Sequence, residues 1–200
     1  MNGQQWSVGI LIFDDVEVLD FAGPFEVFSV AANPVTNQNP FTVKTISENG
    51  EMVTARNGLK VYPDFSFDNA PRFDILVIPG GPGARETEIH NVNLIEWIQD
   101  RMHDVQIMTS VCTGALLLAK AGILNGKRAT THWGSYDRLE SEFPSVLVQR
   151  NVKFVDEGAI ITSGGISAGI NMSLHIVKRL VGSEIAQETA RRMEYDTSIS

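Results

Sequence analysis

The sequence predicts an α/β domain in which a mostly parallel central sheet carries helices on both faces. Three observations support this. Apolar bursts rich in β-branched residues recur along the chain, their apolarity is continuous rather than alternating, and helix-length amphipathic segments separate them. A strand covered on both faces is apolar at every position, whereas one facing water alternates. Strands and helices in turn imply right-handed crossovers, with ligands collecting at the C-terminal ends of the strands.

The expected strands are residues 8–13, 41–46, 75–78, 105–111 and 159–162, each a short apolar run. Between them, residues 21–31, 93–102, 114–121, 133–143, 170–181 and 183–193 read as amphipathic helices. Residues 52–62, around Asn57-Gly58, and 152–161, around Asp156-Glu157-Gly158, read as hairpins with turn-forming tips and are expected as edge decorations. Residues 34–40 form a polar loop too short for a domain linker, and no repeat or low-complexity tract divides the chain, so residues 1–200 are expected to form one domain.

Two hundred residues are enough for a core without disulfide or metal staples. The net charge of -8 has the wrong sign for neutralising phosphates or docking on anionic lipid, so neither nucleic acid nor membrane is an expected partner. Cys112 is the single cysteine, which signals no oxidising compartment. The apolar runs are too short to span a bilayer, and the first residues lack a secretory pattern, while Asn2 excludes myristoylation there. A cytoplasmic location is expected.

Ser110-Val111-Cys112-Thr113-Gly114 follows one expected strand and opens an expected helix, the outline of a nucleophile elbow with sulfur in place of a serine oxygen. Unpaired amides and the positive end of the helix dipole then point at the sulfur and are expected to favour thiolate over thiol. The competing reading is inert packing, since free cysteine is among the most buried residue types. Ile78-Pro79-Gly80-Gly81-Pro82-Gly83 closes another core strand; its glycines let backbone amides approach a ligand, as half of an oxyanion hole completed by the Thr113 amide, or make only a tight turn.

Asp20, just before Phe21-Ala22-Gly23-Pro24, reads either as a helix N-cap or as a proton carrier beside the sulfur. His132 ends the strand-like 128–131 segment and is the one histidine placed to approach Cys112, or else a structural ring. His90, His103 and His175 lack metal-ligand spacing, and no metal is expected. Gly164-Gly165 reads as a helix entrance with anion binding as the alternative.

Asp20, Gly80-Gly81, Cys112-Thr113-Gly114 and Thr130-Thr131-His132-Trp133, in this order and over nearly the whole chain, resemble the ThiJ/PfpI superfamily. Within it, Val18-Leu19-Asp20-Phe21-Ala22-Gly23-Pro24, Ser110-Val111-Cys112-Thr113-Gly114, Gly126-Lys127-Arg128-Ala129-Thr130-Thr131-His132-Trp133 and Met193-Glu194-Tyr195 are similar to bacterial isonitrile hydratases. The resemblance implies a flavodoxin-like three-layer sandwich shared with class I glutamine amidotransferases. It also implies Cys112 as nucleophile, Asp20 as acid/base, Thr113 as a positioning residue, Gly80 and Gly81 in the oxyanion and substrate site, and His132 in a secondary role. No cofactor is implied; a homodimer and a small electrophilic substrate are. Thr113 stands where peptidase-like members carry histidine, which speaks against proteolysis. The same residues also suit glyoxalase-like or amidase chemistry. A sensor of ligand or oxidant is the rival reading, because similar domains form the front half of AraC-type regulators; no basic helix-turn-helix pattern follows Met193, so reading DNA is expected to need a partner chain.

Overall fold

Every apolar burst becomes a strand of one seven-stranded sheet in the computed structural model, which describes residues 5–196. In chain order the elements are β1 (Trp6–Leu11), α1 (Val18–Val30), β2 (Phe41–Ser47), β3 (Val53–Thr54), β4 (Lys60–Val61), β5 (Phe65–Ser66), β6 (Ile75–Ile78), α2 (Pro82–Glu86), α3 (Val92–Arg101), β7 (Ile107–Val111), α4 (Gly114–Lys120), β8 (Arg128–Ala129), α5 (Tyr136–Glu142), β9 (Leu147–Val148), β10 (Phe154–Asp156), β11 (Ile160–Ser163), α6 (Ala168–Val181) and α7 (Ser183–Arg192). The sheet order is β10-β11-β7-β6-β1-β2-β5, and every neighbouring pair is parallel except β10 with β11.

The helices divide into two groups. α1, α6 and α7 pack together on one face, and α4 packs with α2, α3 and α5 on the other. The inner strands are therefore covered twice, and every residue of β6, β7 and β11 is buried. Each Ile or Leu sealed in this way contributes about 1.5–3 kcal/mol. α4 is the most enclosed helix, with Gly114 to Ala119 all buried, which explains its almost wholly apolar sequence. α6 buries one long face, carries Lys178 and Arg179 in its last turn where they complement the helix dipole, and stops at Gly182 with φ 104°. The expected three-layer α/β architecture is what the chain adopts.

Several local expectations are corrected. Residues 52–62 do form a hairpin, but β3 and β4 make a separate two-stranded sheet instead of joining an edge. Its backbone is stitched to the loop after β1: the Asp15 amide donates to Thr54 O at 2.9 Å, the Arg56 amide to Val16 O at 3.0 Å, and the Thr54 amide to the Asp14 carboxylate at 2.7 Å. In residues 152–161 only β10 is an edge strand, because its partner β11 is internal. Residues 128–131 give only the short β8, paired with β9 outside the main sheet. The helix expected over 133–143 begins as a 3-10 turn, Trp133–Ser135. α1 starts at Val18, so Asp20 lies within its first turn and Glu17, not Asp20, is the N-cap.

β1 is flanked by β2 on one side and β6 on the other, so the strand order reverses there, the position at which doubly wound sheets place a ligand crevice at the C-terminal edge. The loops leaving β1, β6, β7 and β11 meet at that edge.

Candidate active site

Cys112 is the residue at which β7 turns into α4, and it holds φ 57°, a left-handed conformation that a side chain other than glycine adopts at a cost of about 1–3 kcal/mol. Its amide donates to Gly164 O at 3.2 Å, and its carbonyl accepts the Thr131 hydroxyl at 2.7 Å. The strand-to-helix turn is thus left-handed at Cys112 and held from two sides. Cys112 retains 7% of its accessible surface, so it is nearly but not wholly enclosed.

Asp20 is wholly buried, and one carboxylate oxygen accepts the Gly80 amide at 3.0 Å. The other oxygen has no hydrogen-bond partner. Burial raises its proton affinity, the Gly80 amide opposes this, and the Glu17 charge adds to it; the Cys112 thiol and the Ile166 amide also lie near enough to lower it. The result is a carboxyl pushed up to about 7. For Cys112, burial and then the Asp20 charge raise the thiol to about 12, against the Thr113 amide and hydroxyl, which favour the thiolate. The expectation of a resting thiolate is therefore corrected: desolvation and a facing carboxylate outweigh the amides at the turn. Above neutral pH the pair rests as thiol plus carboxylate and holds one proton between two sites.

The glycines approach the protein itself. A Cβ on Gly80 would stand 2.5 Å from the Thr113 amide nitrogen, and one on Gly81, with φ 126°, 2.4 Å from the Glu17 amide nitrogen. The Gly81 amide donates to the Thr113 hydroxyl oxygen at 2.9 Å, so it is engaged with the chain instead of facing a ligand, and the Gly80 amide is held by Asp20. Thr113 is buried, its side chain on Gly81 and its amide beside the sulfur. Of the expected oxyanion pair, the Thr113 amide is the half that lies beside the Cys112 sulfur.

His132 is half-buried, the Cδ2 edge of its ring against Gly165, where a Cβ would stand 2.2 Å from Cδ2, and its Nδ1 accepts the Gly134 amide at 3.2 Å. Burial, and then the Arg85 charge, lower its proton affinity against Glu17. The charges acting on it are not those of Cys112 or Asp20. Gly164 offers a carbonyl to Cys112, and Gly165 leaves room for the His132 ring. Two residues given no role by the sequence belong to the site: Thr131, in a motif noticed only as a resemblance, and Ile166, whose left-handed φ of 57° brings its amide toward Asp20. Among the described residues no group of three or more His, Cys, Asp or Glu side chains is placed to hold a metal ion. None of the described helices is long and apolar enough to cross a membrane.

The chain is similar to known proteins to different extents. The isonitrile hydratase of Pseudomonas putida is 35% identical over 189 residues, 94% of this chain and 78% of that protein. The HTH-type transcriptional regulator GbdR of Pseudomonas aeruginosa is 28% identical over 98% of this chain, which spans only 52% of the regulator's length. A ThiJ/PfpI family protein from Pseudomonas syringae has a crystal structure matching with TM-score 0.86 at 26% identity, over 97% of this chain and 76% of that one. Drosophila melanogaster DJ-1beta, at 21% identity, shares the fold with TM-score 0.83 over 97% of this chain and 100% of its own. The DJ-1/PfpI family model matches residues 6–179, from the first strand through most of α6 and across the loops that meet at the C-terminal edge, so the chain belongs to the DJ-1/PfpI family.

Proposed function

We propose that the protein is a cysteine-dependent hydratase that converts an organic isonitrile to the N-substituted formamide. The observation that carries this reading is the Cys112–Asp20 pair: a thiol on a strained turn facing a buried carboxyl pushed up to about 7, so that one proton can pass from sulfur to carboxylate and on to a substrate near neutral pH. Similarity to the isonitrile hydratase of Pseudomonas putida supports the choice of substrate.

The reaction balances with no other reactant than water. The Cys112 sulfur bonds to the terminal carbon of the isonitrile while its proton passes to Asp20 and from there to that carbon, leaving a thioimidate and a carboxylate. Asp20 then takes a proton from water as the oxygen adds to the same carbon, and returns it to the nitrogen. In the last step the carbon–sulfur bond breaks, the hydroxyl proton travels through Asp20 to the sulfur, and the formamide leaves. The Thr113 amide steadies the charge that develops during the additions. Cys112→Ala is expected to abolish formamide formation from a simple alkyl isonitrile, followed by mass spectrometry; undiminished turnover would end this reading.

The second reading is a ligand sensor, favoured by the 28% identity to GbdR across 98% of the chain. Side-by-side assays with an isonitrile, methylglyoxal and small amides separate the readings. Turnover of the isonitrile alone supports the hydratase, and turnover of another substrate moves the chemistry to the glyoxalase-like or amidase branch. Binding without turnover of any supports the sensor.

A further inference from the structure

We infer that Thr131 is a positioning residue that holds the Cys112 elbow in its left-handed conformation and so keeps the sulfur directed at Asp20. This rests on the reading of Cys112 as the nucleophile but not on any particular substrate.

A non-glycine residue at φ 57° persists only where its surroundings hold it there. Two long-range bonds do so at Cys112: the bond from its amide to Gly164 O, and the bond from the Thr131 hydroxyl to its carbonyl. The first joins backbone to backbone. The second, at 2.7 Å, is made by a wholly buried side chain, on a segment outside the main sheet and 19 residues along the chain. The same carbonyl meets the Ala115 amide at only 3.4 Å, so the hydroxyl is its shorter partner. Thr131 is itself anchored, since the preceding Thr130 amide donates to the Thr162 hydroxyl on β11 at 2.9 Å. The hydroxyl reaches the sulfur only through the backbone of Cys112, which makes its role one of geometry. Reacting groups displaced by about 1 Å lose about 100-fold in rate.

With one cysteine in the chain, alkylation by iodoacetamide reports on Cys112 alone. In the wild type the second-order rate is expected to rise with pH through about 7, as the Asp20 carboxylate becomes available to take the thiol proton. Thr131→Val, which keeps the shape and removes the hydroxyl, is expected to lower the rate at pH 8 about tenfold or more and to flatten that rise. Thr131→Ser, which keeps the hydroxyl, is expected to restore both to within about threefold. If the isonitrile is a substrate, kcat falls in Thr131→Val while KM stays within about twofold.

A merely structural threonine would lower the melting temperature and leave the rate and pH profile of the folded protein unchanged; that outcome overturns the inference. So does equal loss in the Ser and Val variants. Should Thr131→Val not fold, Thr131→Ala, checked by circular dichroism, carries the same expectations. The alkylation profile decides the matter even if no isonitrile is turned over, so a failed substrate assignment and a failed role for Thr131 are told apart.

Discussion

Two aspartates tie β1, β6 and β7 together at opposite ends of the sheet. At the N-terminal edge, Asp74 leads into β6 and accepts the Ser7 amide and hydroxyl on β1, both at 2.8 Å, and the Gln106 side-chain amide before β7 at 2.9 Å. At the C-terminal edge, Asp20 follows β1, accepts the Gly80 amide after β6 and faces Cys112 after β7. Burial raises the proton affinity of both. For Asp74 the Ser7 amide, the Ser7 hydroxyl and Gln106 overcome it and hold the carboxyl below the usual range; for Asp20 the Gly80 amide, the Cys112 thiol and the Ile166 amide together do not. Each carboxyl has three groups that favour its charge, so depth of burial separates the two: Asp20 is wholly enclosed, whereas Asp74 is only half-buried.

The widest separation between the two is expected in paired neutral variants. Asp20→Asn should cut Cys112 alkylation at pH 8, and isonitrile turnover, by about 100-fold or more, because the thiol proton loses its acceptor. Asp74→Asn should leave both within about twofold per folded molecule while lowering stability by about 1–3 kcal/mol in urea unfolding, since an amide accepts poorly where Ser7 donates twice. Equal loss of activity in the two variants would erase the distinction.

The same contrast predicts opposite pH trends in stability. Asp20 binds its proton more tightly folded than unfolded, so between about 4 and about 7 the native state holds a proton that the unfolded chain has released, and stability falls as pH rises through that window. The loss amounts to a few kcal/mol at most, from roughly three pH units at about 1.4 kcal/mol each. Asp74, with its carboxyl lowered, acts in reverse: its stabilisation is present above the unfolded value and lost as pH falls. Asp20→Asn should therefore be more stable than wild type at pH 8 and lose that advantage by pH 4. A constant difference across that range would show that the Asp20 carboxyl is not displaced.

Parts of this site were legible in the sequence because they are local. A strand of β-branched residues running into Cys112-Thr113-Gly114 and then Ala-Leu-Leu-Leu announces a strand-to-helix turn by pattern alone. Asp20 was legible as a position, but the start of α1 at Val18 was not, since Glu17 caps the helix without a side-chain hydrogen bond and so leaves no capping signature. What the glycines approach was hidden as well: Gly80 and Gly81 signal a close backbone contact without revealing that the contact is Thr113 and the loop after β1. Ile166 gave no signal, because a β-branched residue has no local preference for positive φ and is held there only by the tertiary fold. The Thr131 hydroxyl finds its acceptor 19 residues away, beyond any period a sequence displays.

The smallest expected effect tests how far the proton affinity of Asp20 is set beyond its own contacts. Glu17 lies one helical turn before Asp20, its charge raises the Asp20 carboxyl, and its own partner is Arg56 on the β3–β4 hairpin, at 2.5 Å. Asp74 has no such charge among the causes that set its carboxyl. Glu17→Gln removes a negative charge and should move the acid limb of the Cys112 alkylation profile down. Arg56→Ala uncovers that charge and should move the limb up. Each shift should be about half a pH unit or less, because the Arg56 side chain is open to solvent and exposed pairs are screened. Both should shrink further between 0.05 and 0.5 M salt, where the screening length falls from about 14 Å to about 4 Å. Shifts of the same sign in the two variants would mean that the hairpin acts on Asp20 by moving the loop it is stitched to. Opposite signs that fade with salt would mean that it acts by charge.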